Sequence, residues 1–131
     1  MPAYLLDTNA LVDFLYGIDD AVELIESLVS EGHTLAVCSV SVAELYSGLA
    51  EADKPRVEGV ISGFDYWDIS PAAAKRAGSH RFQFARRGIQ LSTPDTLQAA
   101  LAVDHNANFV TRNVKDFPMT DLRIVTYPSP G

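Results

Sequence analysis

Short apolar runs alternate with helical periodicities along this chain, and most junctions between them carry a helix-opening or helix-closing residue. Tyr4-Leu5-Leu6 ends at Asp7, and Leu11, Val12 and Leu15 follow at helical spacing before Gly17. Asp19-Asp20 opens a second helix through Leu28-Val29, with acids at the positive end of the helix dipole and Gly32 as the stop. Residues 34–38 are a second strand, and Ser39 or Ser41 can cap the helix that runs through Val42, Leu45, Tyr46 and Leu49. Asp53 and Pro55 precede a weak helix through Val57, Val60 and Ile61; residues 66–69 then read as a short strand whose partner the pattern leaves open.

Ser70-Pro71 is a cap followed by a first-turn proline, opening a helix that continues to Arg87 and stops at Gly88. Thr93-Pro94 repeats that signature. The helix behind it is apolar on most sides (Leu97, Ala99, Ala100, Leu101, Ala102, Val103) and is therefore expected to be buried. Residues 109–111 and 124–126 complete the strands, with at most one helical turn, residues 114–117, between them. Strands separated by helices, with few hairpin turns, pair in parallel through crossovers and take helices on both faces. The expected fold is α/β: a three-layer α/β/α sandwich with a mainly parallel central sheet, one domain over residues 1–131. Ligands of such sheets gather beyond the carboxyl ends of the strands.

Charge separates the two halves of the chain. Residues 1–70 hold thirteen Asp and Glu against Lys54 and Arg56, a balance of −11, whereas residues 71–131 hold four acids against eight Lys and Arg, a balance of +4, for a net −7. Five of those cations, Lys75, Arg76, Arg81, Arg86 and Arg87, fall on the predicted helix 71–87. Such spacing suits either a solvated helix face or an RNA-backbone footprint, with Phe82 and Phe84 as packing or stacking groups. The single cysteine, Cys38, has no intrachain partner and sits in an apolar run, so a buried structural thiol is expected, and with it a reducing, cytoplasmic setting. No apolar stretch approaches the roughly 20 residues of a membrane span, and the first residues carry no signal-peptide pattern.

Four carboxylates fall where the strand ends should converge. Asp7 follows strand one, Glu44 lies early in the helix after the second strand, Asp95 is in the first turn of the apolar helix, and Asp116 lies just past the strand ending at Thr111. Two carboxylates about 4 Å apart repel by roughly 4 kcal/mol at an effective dielectric near 20, a cost that a bound cation offsets. Hard divalent ions of the Mg²⁺ or Mn²⁺ kind suit oxygen ligands without a His or Cys cage, and His33, His80 and His105 show no ligand spacing and read as surface or helix-end residues. Each acid also has a purely local reading. Asp7 can cap a helix, Ser41-Val-Ala-Glu44 matches a capping box, Asp95 can serve the helix dipole, and Asp116 can belong to a turn before Phe117-Pro118.

The four segments, in order and over nearly the whole chain, resemble the PIN-domain ribonucleases, most closely the toxin subunits of VapBC-type toxin–antitoxin pairs. Leu5-Leu6-Asp7-Thr8-Asn9 looks like the first acidic motif of that family, and Ser41-Val42-Ala43-Glu44-Leu45 with Gly48 like the second. Thr93-Pro94-Asp95-Thr96-Leu97-Gln98-Ala99-Ala100 is similar to the third, and Thr111-Arg112-Asn113 followed by Asp116-Phe117 to the fourth. Gln98 departs from the pattern, standing where an apolar residue is expected, and the Ser92-Thr93-Pro94 lead-in is an uncommon version.

The resemblance implies metal-dependent hydrolysis of RNA phosphodiester bonds, with Asp7 and Asp95 as main ligands of Mg²⁺ or Mn²⁺ and Glu44 and Asp116 completing the pocket. It implies that Thr111, Asn113 and Thr8 orient those acids by hydrogen bonds. It further implies a homodimer and a VapB-like antitoxin partner whose tail occupies the acidic groove. RNA phosphates are expected on Lys75, Arg76, Arg86, Arg87 and Arg112. Two rival readings remain open: a haloacid-dehalogenase-like phosphatase, which places a nucleophilic Asp after strand one but wants a second Asp where this chain has Asn9, and a non-catalytic PIN-like module that binds RNA or protein.

Overall fold

In the computed structural model, which describes residues 2–129, the chain runs β1 (Tyr4–Leu6), α1 (Thr8–Leu15), α2 (Asp19–Ser30), β2 (Leu35–Cys38), α3 (Ser39–Ser47), α4 (Lys54–Ile61), β3 (Asp65–Trp67), α5 (Pro71–Ala85), α6 (Thr93–Asp104), β4 (Asn108–Val110) and β5 (Arg123–Val125). The five strands form one sheet in the order β3-β2-β1-β4-β5, every neighbouring pair parallel. β1 is central and is followed directly by Asp7.

Successive strand residues point to opposite faces, and each face has its own core. Leu5, Ala36, Cys38 and Phe109 pack with Ala73, Ala77 and Phe84 of α5 and with residues 99–102 of α6. Leu6, Leu35, Val37 and Val110 pack on the other side with α1, α2, Leu45 of α3 and Val57 of α4. This is the three-layer α/β/α sandwich expected from the alternation. Cys38 is fully buried, as a structural thiol should be.

The buried alanines of α6 (Ala99, Ala100 and Ala102) present almost no side-chain bulk, which suits close packing on the sheet. Their helix lies antiparallel to α5: Arg76, early in α5, pairs with Asp104 at the end of α6, while the far end of α5 leads through Leu91 to the start of α6. The turn between them is closed by Gly88 at φ 79°, where Ile89 N–H donates to the Phe84 carbonyl (2.9 Å) and Gly88 N–H to that of Ala85 (3.0 Å). Asn106, at φ 53°, takes the same role after α6, a stop that no glycine announced.

The predicted strand at 66–69 lies at 65–67 and is an edge strand paired with β2. Two predicted caps are corrected. Cys38, not Ser39 or Ser41, is the N-cap of α3, because β2 continues to Cys38 and only that residue keeps extended backbone (φ −120°, ψ 165°). Likewise Ser92, not Thr93, caps α6, its hydroxyl accepting from Asp95 N–H at 3.2 Å. His80 is also corrected: it is buried beneath α5 rather than at the surface, with Nε2 3.6 Å from Asp121.

Candidate functional site

Parallel pairing sends β1, β2 and β4 toward the same sheet edge, and the chain leaving each carries one of the acidic segments. Asp7 is the N-cap of α1: its Oδ1 accepts from Ala10 N–H at 2.7 Å, and its Oδ2 accepts from the Thr111 hydroxyl at 2.6 Å. The local reading of Asp7 as a cap is thus true but incomplete, since its second oxygen is held from the end of β4, 104 residues away in sequence. Asp7 is almost fully buried (3% exposed), and this burial pushes its pKa up from 3.8 to about 6. The Thr111 and Ala10 hydrogen bonds oppose the shift, Asp95 adds to it by repulsion, and the Arg112 guanidinium draws it down.

Asp95 is the electrostatic hub. Its pKa is raised, first by burial, against a hydrogen bond with Ser92, and further by the repulsion of Asp116 and Glu44. Asp95 thereby couples to all three other acids, so four carboxylates from separate parts of the chain share one electrostatic neighbourhood. Asp7 is the buried end of this group; Glu44 and Asp116 are its exposed end.

The capping-box reading of Ser41 and Glu44 is overturned. With Cys38 as the cap, Ser41 occupies the third helical position and exchanges hydrogen bonds with the Cys38 backbone, accepting from its N–H at 3.2 Å and donating to its carbonyl at 3.0 Å. Glu44 is a turn further on, too late to reach the cap. It instead accepts from the Thr8 hydroxyl at 2.6 Å and from Gln98 Nε2 at 3.3 Å.

Of the residues expected to orient the acids, Thr111 holds Asp7 and Thr8 holds Glu44 through their hydroxyls. Asn113 contributes by its backbone, its N–H donating to Thr111 Oγ1 at 3.0 Å. The cations expected along α5 divide. Arg76 is engaged by Asp104 (2.8 Å) and Asp121 (3.5 Å) at the end of α5 remote from Asp95, and exposed Lys75 lies beside it in sequence. Arg86 and Arg87 are exposed at the other end, near the connection to α6, with Arg86 over the Phe82 ring (5.7 Å) and Arg87 over Phe84 (5.0 Å). Phe82 is 64% exposed whereas Phe84 belongs to the core. Arg112 is turned inward, with Nε 3.2 Å from Asp13, rather than outward to solvent.

Three residues were not anticipated. Gln98 is buried within the site, bonded to Thr8 and Glu44. Asp13, on the buried side of α1, accepts from the Tyr127 hydroxyl at 2.7 Å and faces Arg112. The available signal for Asp13 was a carboxylate amid the apolar residues Leu11, Val12, Phe14 and Leu15, a position that demands a buried partner. Tyr127, past β5, carried no comparable signal.

The PIN domain family model matches residues 4–121, which spans all four acidic segments. The chain belongs to the PIN-domain family. Among PIN-domain relatives, "Ribonuclease VapC19" of Mycobacterium tuberculosis is 31% identical over 117 residues, covering 88% of this chain and 92% of that protein. The "tRNA(fMet)-specific endonuclease VapC" of Shigella flexneri is 27% identical over 122 residues, covering 89% and 91% respectively. Among solved structures, VapBC2 from Rickettsia felis bound to a promoter DNA fragment contains a chain that superposes with a TM-score of 0.84 at 25% identity, covering 95% of this chain and 98% of that one. Among the described residues no helix is long and apolar enough to cross a membrane.

Proposed function

We propose that this PIN-domain protein is an endoribonuclease that hydrolyses RNA phosphodiester bonds with Mg²⁺ or Mn²⁺, acting as the toxin of a toxin–antitoxin pair in the cytoplasm. The observation that carries the reading is the coupling of Asp7, Glu44 and Asp116 through Asp95, in a chain of ribonuclease relatives. The donor set fits a hard divalent ion: every candidate ligand is a carboxylate oxygen, and Asp7 and Asp95, whose pKa values are raised first by burial and further by neighbouring acids, are carboxylates whose ionised form a cation would stabilise. Among the described residues no group of three His, Cys, Asp or Glu side chains is placed to hold a metal ion, so an ion here would rest on one or two carboxylates and keep several waters, a coordination open to Mg²⁺.

Asp7 and Asp95 are the residues to hold the ion, with Glu44 and Asp116 at the open side. An ion held there would supply acidification of the attacking water and stabilisation of charge on the phosphate. The chain's own part is to keep the acids in place. Thr111 fixes the Asp7 carboxylate, Thr8 fixes Glu44, and the N-terminus of α6 carries Asp95 at the edge of the sheet. A phosphodiester is repelled by this pocket unless a cation is present, which ties substrate binding to metal binding. The phosphatase reading loses ground, since the match extends over all four acidic segments.

RNA reaches the pocket along the end of α5, where Arg81, Phe82, Gln90 and Leu91 line an open groove of about 300 Å³ and Arg86 and Arg87 stand beside it. Charge reversal of Arg86 and Arg87 is expected to weaken RNA binding and lower the slope of log affinity against log salt by about one for each phosphate no longer neutralised. Binding that is unchanged at low salt rules this path out. The neighbours solved as VapBC complexes support a VapB-like antitoxin partner, and the family likeness supports a homodimer.

The deciding experiment is cleavage of total cellular RNA and purified tRNA by antitoxin-free protein in Mg²⁺, Mn²⁺ or EDTA. Discrete metal-dependent fragments are expected. A folded protein that neither cleaves RNA nor binds Mn²⁺ at millimolar concentration would instead be the non-catalytic module.

A further inference from the structure

The departure at position 98 lies inside the site, between three of the four acidic segments. Gln98 is 1% exposed and one helical turn beyond Asp95 on α6. Its Oε1 accepts from Thr8 N–H at 3.1 Å, and its Nε2 donates to Thr8 Oγ1 at 3.1 Å and to Glu44 Oε1 at 3.3 Å. Every polar direction but one is used, and the assignment of its amide is dictated by its neighbours. In the flipped orientation, NH₂ would face the Thr8 N–H and the oxygen would face the Glu44 carboxylate, two repulsions in place of two bonds.

The three partners belong to different elements. Thr8 N–H is one of the first amides of α1, which have no acceptor within their own helix, so Gln98 supplies one from α6. Glu44 Oε1, on α3, receives both the Thr8 hydroxyl and the Gln98 amide, which leaves Oε2 as the oxygen free of side-chain partners among the described residues. An apolar side chain at this position could fill the space but could supply neither the acceptor nor the two donors.

We infer that Gln98 is a positioning residue for the proposed nuclease reaction, locking Glu44 and Thr8 to the helix that carries Asp95, so that Glu44 works with one oxygen held and one presented. The inference rests on the reading of Glu44 as an acid of the reaction pocket. Gln98 touches neither substrate nor ion; it acts through Glu44.

The test is a double-mutant cycle of Gln98→Leu and Glu44→Gln, read by Mn²⁺ affinity from electron paramagnetic resonance of the purified protein and by kcat and KM for RNA cleavage. Gln98→Leu is expected to weaken Mn²⁺ binding and lower kcat by about 10–100-fold, with KM changing less. In the Glu44→Gln background the same substitution should cost much less, because its route of action is already removed. Gln98→Glu keeps an acceptor for Thr8 N–H while removing both donors to Thr8 and Glu44; it is expected to reproduce the loss should the leucine variant fail to fold.

A folded Gln98→Leu, or Gln98→Glu, with wild-type Mn²⁺ affinity and kcat overturns the inference. So does an equal loss in both backgrounds, the signature of a merely structural role. Glu44→Gln with wild-type Mn²⁺ affinity and cleavage overturns the reading of Glu44 itself, and the inference with it.

Discussion

Asp7→Asn is expected to lower RNA cleavage by about two to three orders of magnitude and, in EDTA at pH 7, to melt higher than the wild type. The two effects have one cause. A carboxylate whose pKa rises from 3.8 to about 6 on folding favours the folded state only while protonated. Its contribution is fully present below pH 3.8 and is lost as pH rises through about 6, so at neutral pH the metal-free protein carries the whole penalty of burying this charge.

Two pKa units correspond to about 3 kcal/mol, and asparagine gives back part of that by weakening the bonds from Ala10 and Thr111. A net gain of about 1–2 kcal/mol, on the order of 5 °C in Tm, is expected. The wild type in EDTA should lose stability between about pH 4 and 7, and the variant should lose less; a remainder persists because Asp95 is shifted in the same direction. Mn²⁺ should stabilise the wild type and not the variant. Calorimetry across this pH range checks the set, and an Asp7→Asn protein that melts lower than the wild type in EDTA at pH 7 sinks the account.

Arg112→Met is expected to cost about 2–3 kcal/mol of stability and to move the acid limb of the pH–rate profile upward. Arg112 Nε lies 3.2 Å from Asp13 Oδ2 but is not aligned for a hydrogen bond, so the attraction between them is Coulombic. The Asp13 side chain is only 8% exposed, and without Arg112 its main remaining partner is the Tyr127 hydroxyl. The expected cost is below that of breaking a fully buried pair because Arg112 is 26% exposed and water screens part of the interaction.

The same cation draws the pKa of Asp7 down, so its loss lets that pKa climb further in the metal-free protein; because protons compete with the ion for this carboxylate, the acid limb moves upward at sub-saturating metal. Tyr127, whose own pKa is raised by burial and by its bond to Asp13, stays neutral and keeps donating throughout. Tm and a pH–rate series report the two effects separately. An unchanged acid limb would mean that Arg112 serves the fold alone.

The elements of the fold were largely legible, because apolar periodicity and turn chemistry are local. Gly88 marked the end of α5 correctly, as did Ser70 its beginning, since a positive φ and a capping oxygen are demands that a few neighbouring residues settle. The edge strand Asp65–Trp67 was displaced and its partner left open, because three mostly exposed residues bury too little to leave a pattern.

Within the site, the four acids were singled out from their places in the pattern, Asp7, Glu44 and Asp116 after strands and Asp95 in the first turn of α6, and only the structure decided the local alternatives of Asp7 and Glu44. Whether Glu44 closes a capping box depends on where β2 ends. One residue of extended backbone at Cys38 shifts the helix origin and sends Glu44 to Thr8 and Gln98 instead. Arg76 and Arg86 share one helix and one charge in the sequence, but Asp104 and Asp121 reach the first from distant segments and leave the second exposed.

By itself, then, the order of apolar runs, caps and acids determined a parallel α/β sandwich and the carboxylates at its rim, since each of those features is written in spacings of a few residues. Only the tertiary structure decided which oxygen of Asp7 meets Thr111, that Gln98 binds Thr8 and Glu44, and that Arg112 turns toward Asp13. These contacts join residues 104, 90, 54 and 99 positions apart, and their geometry exists only once the sheet has brought the strand ends together.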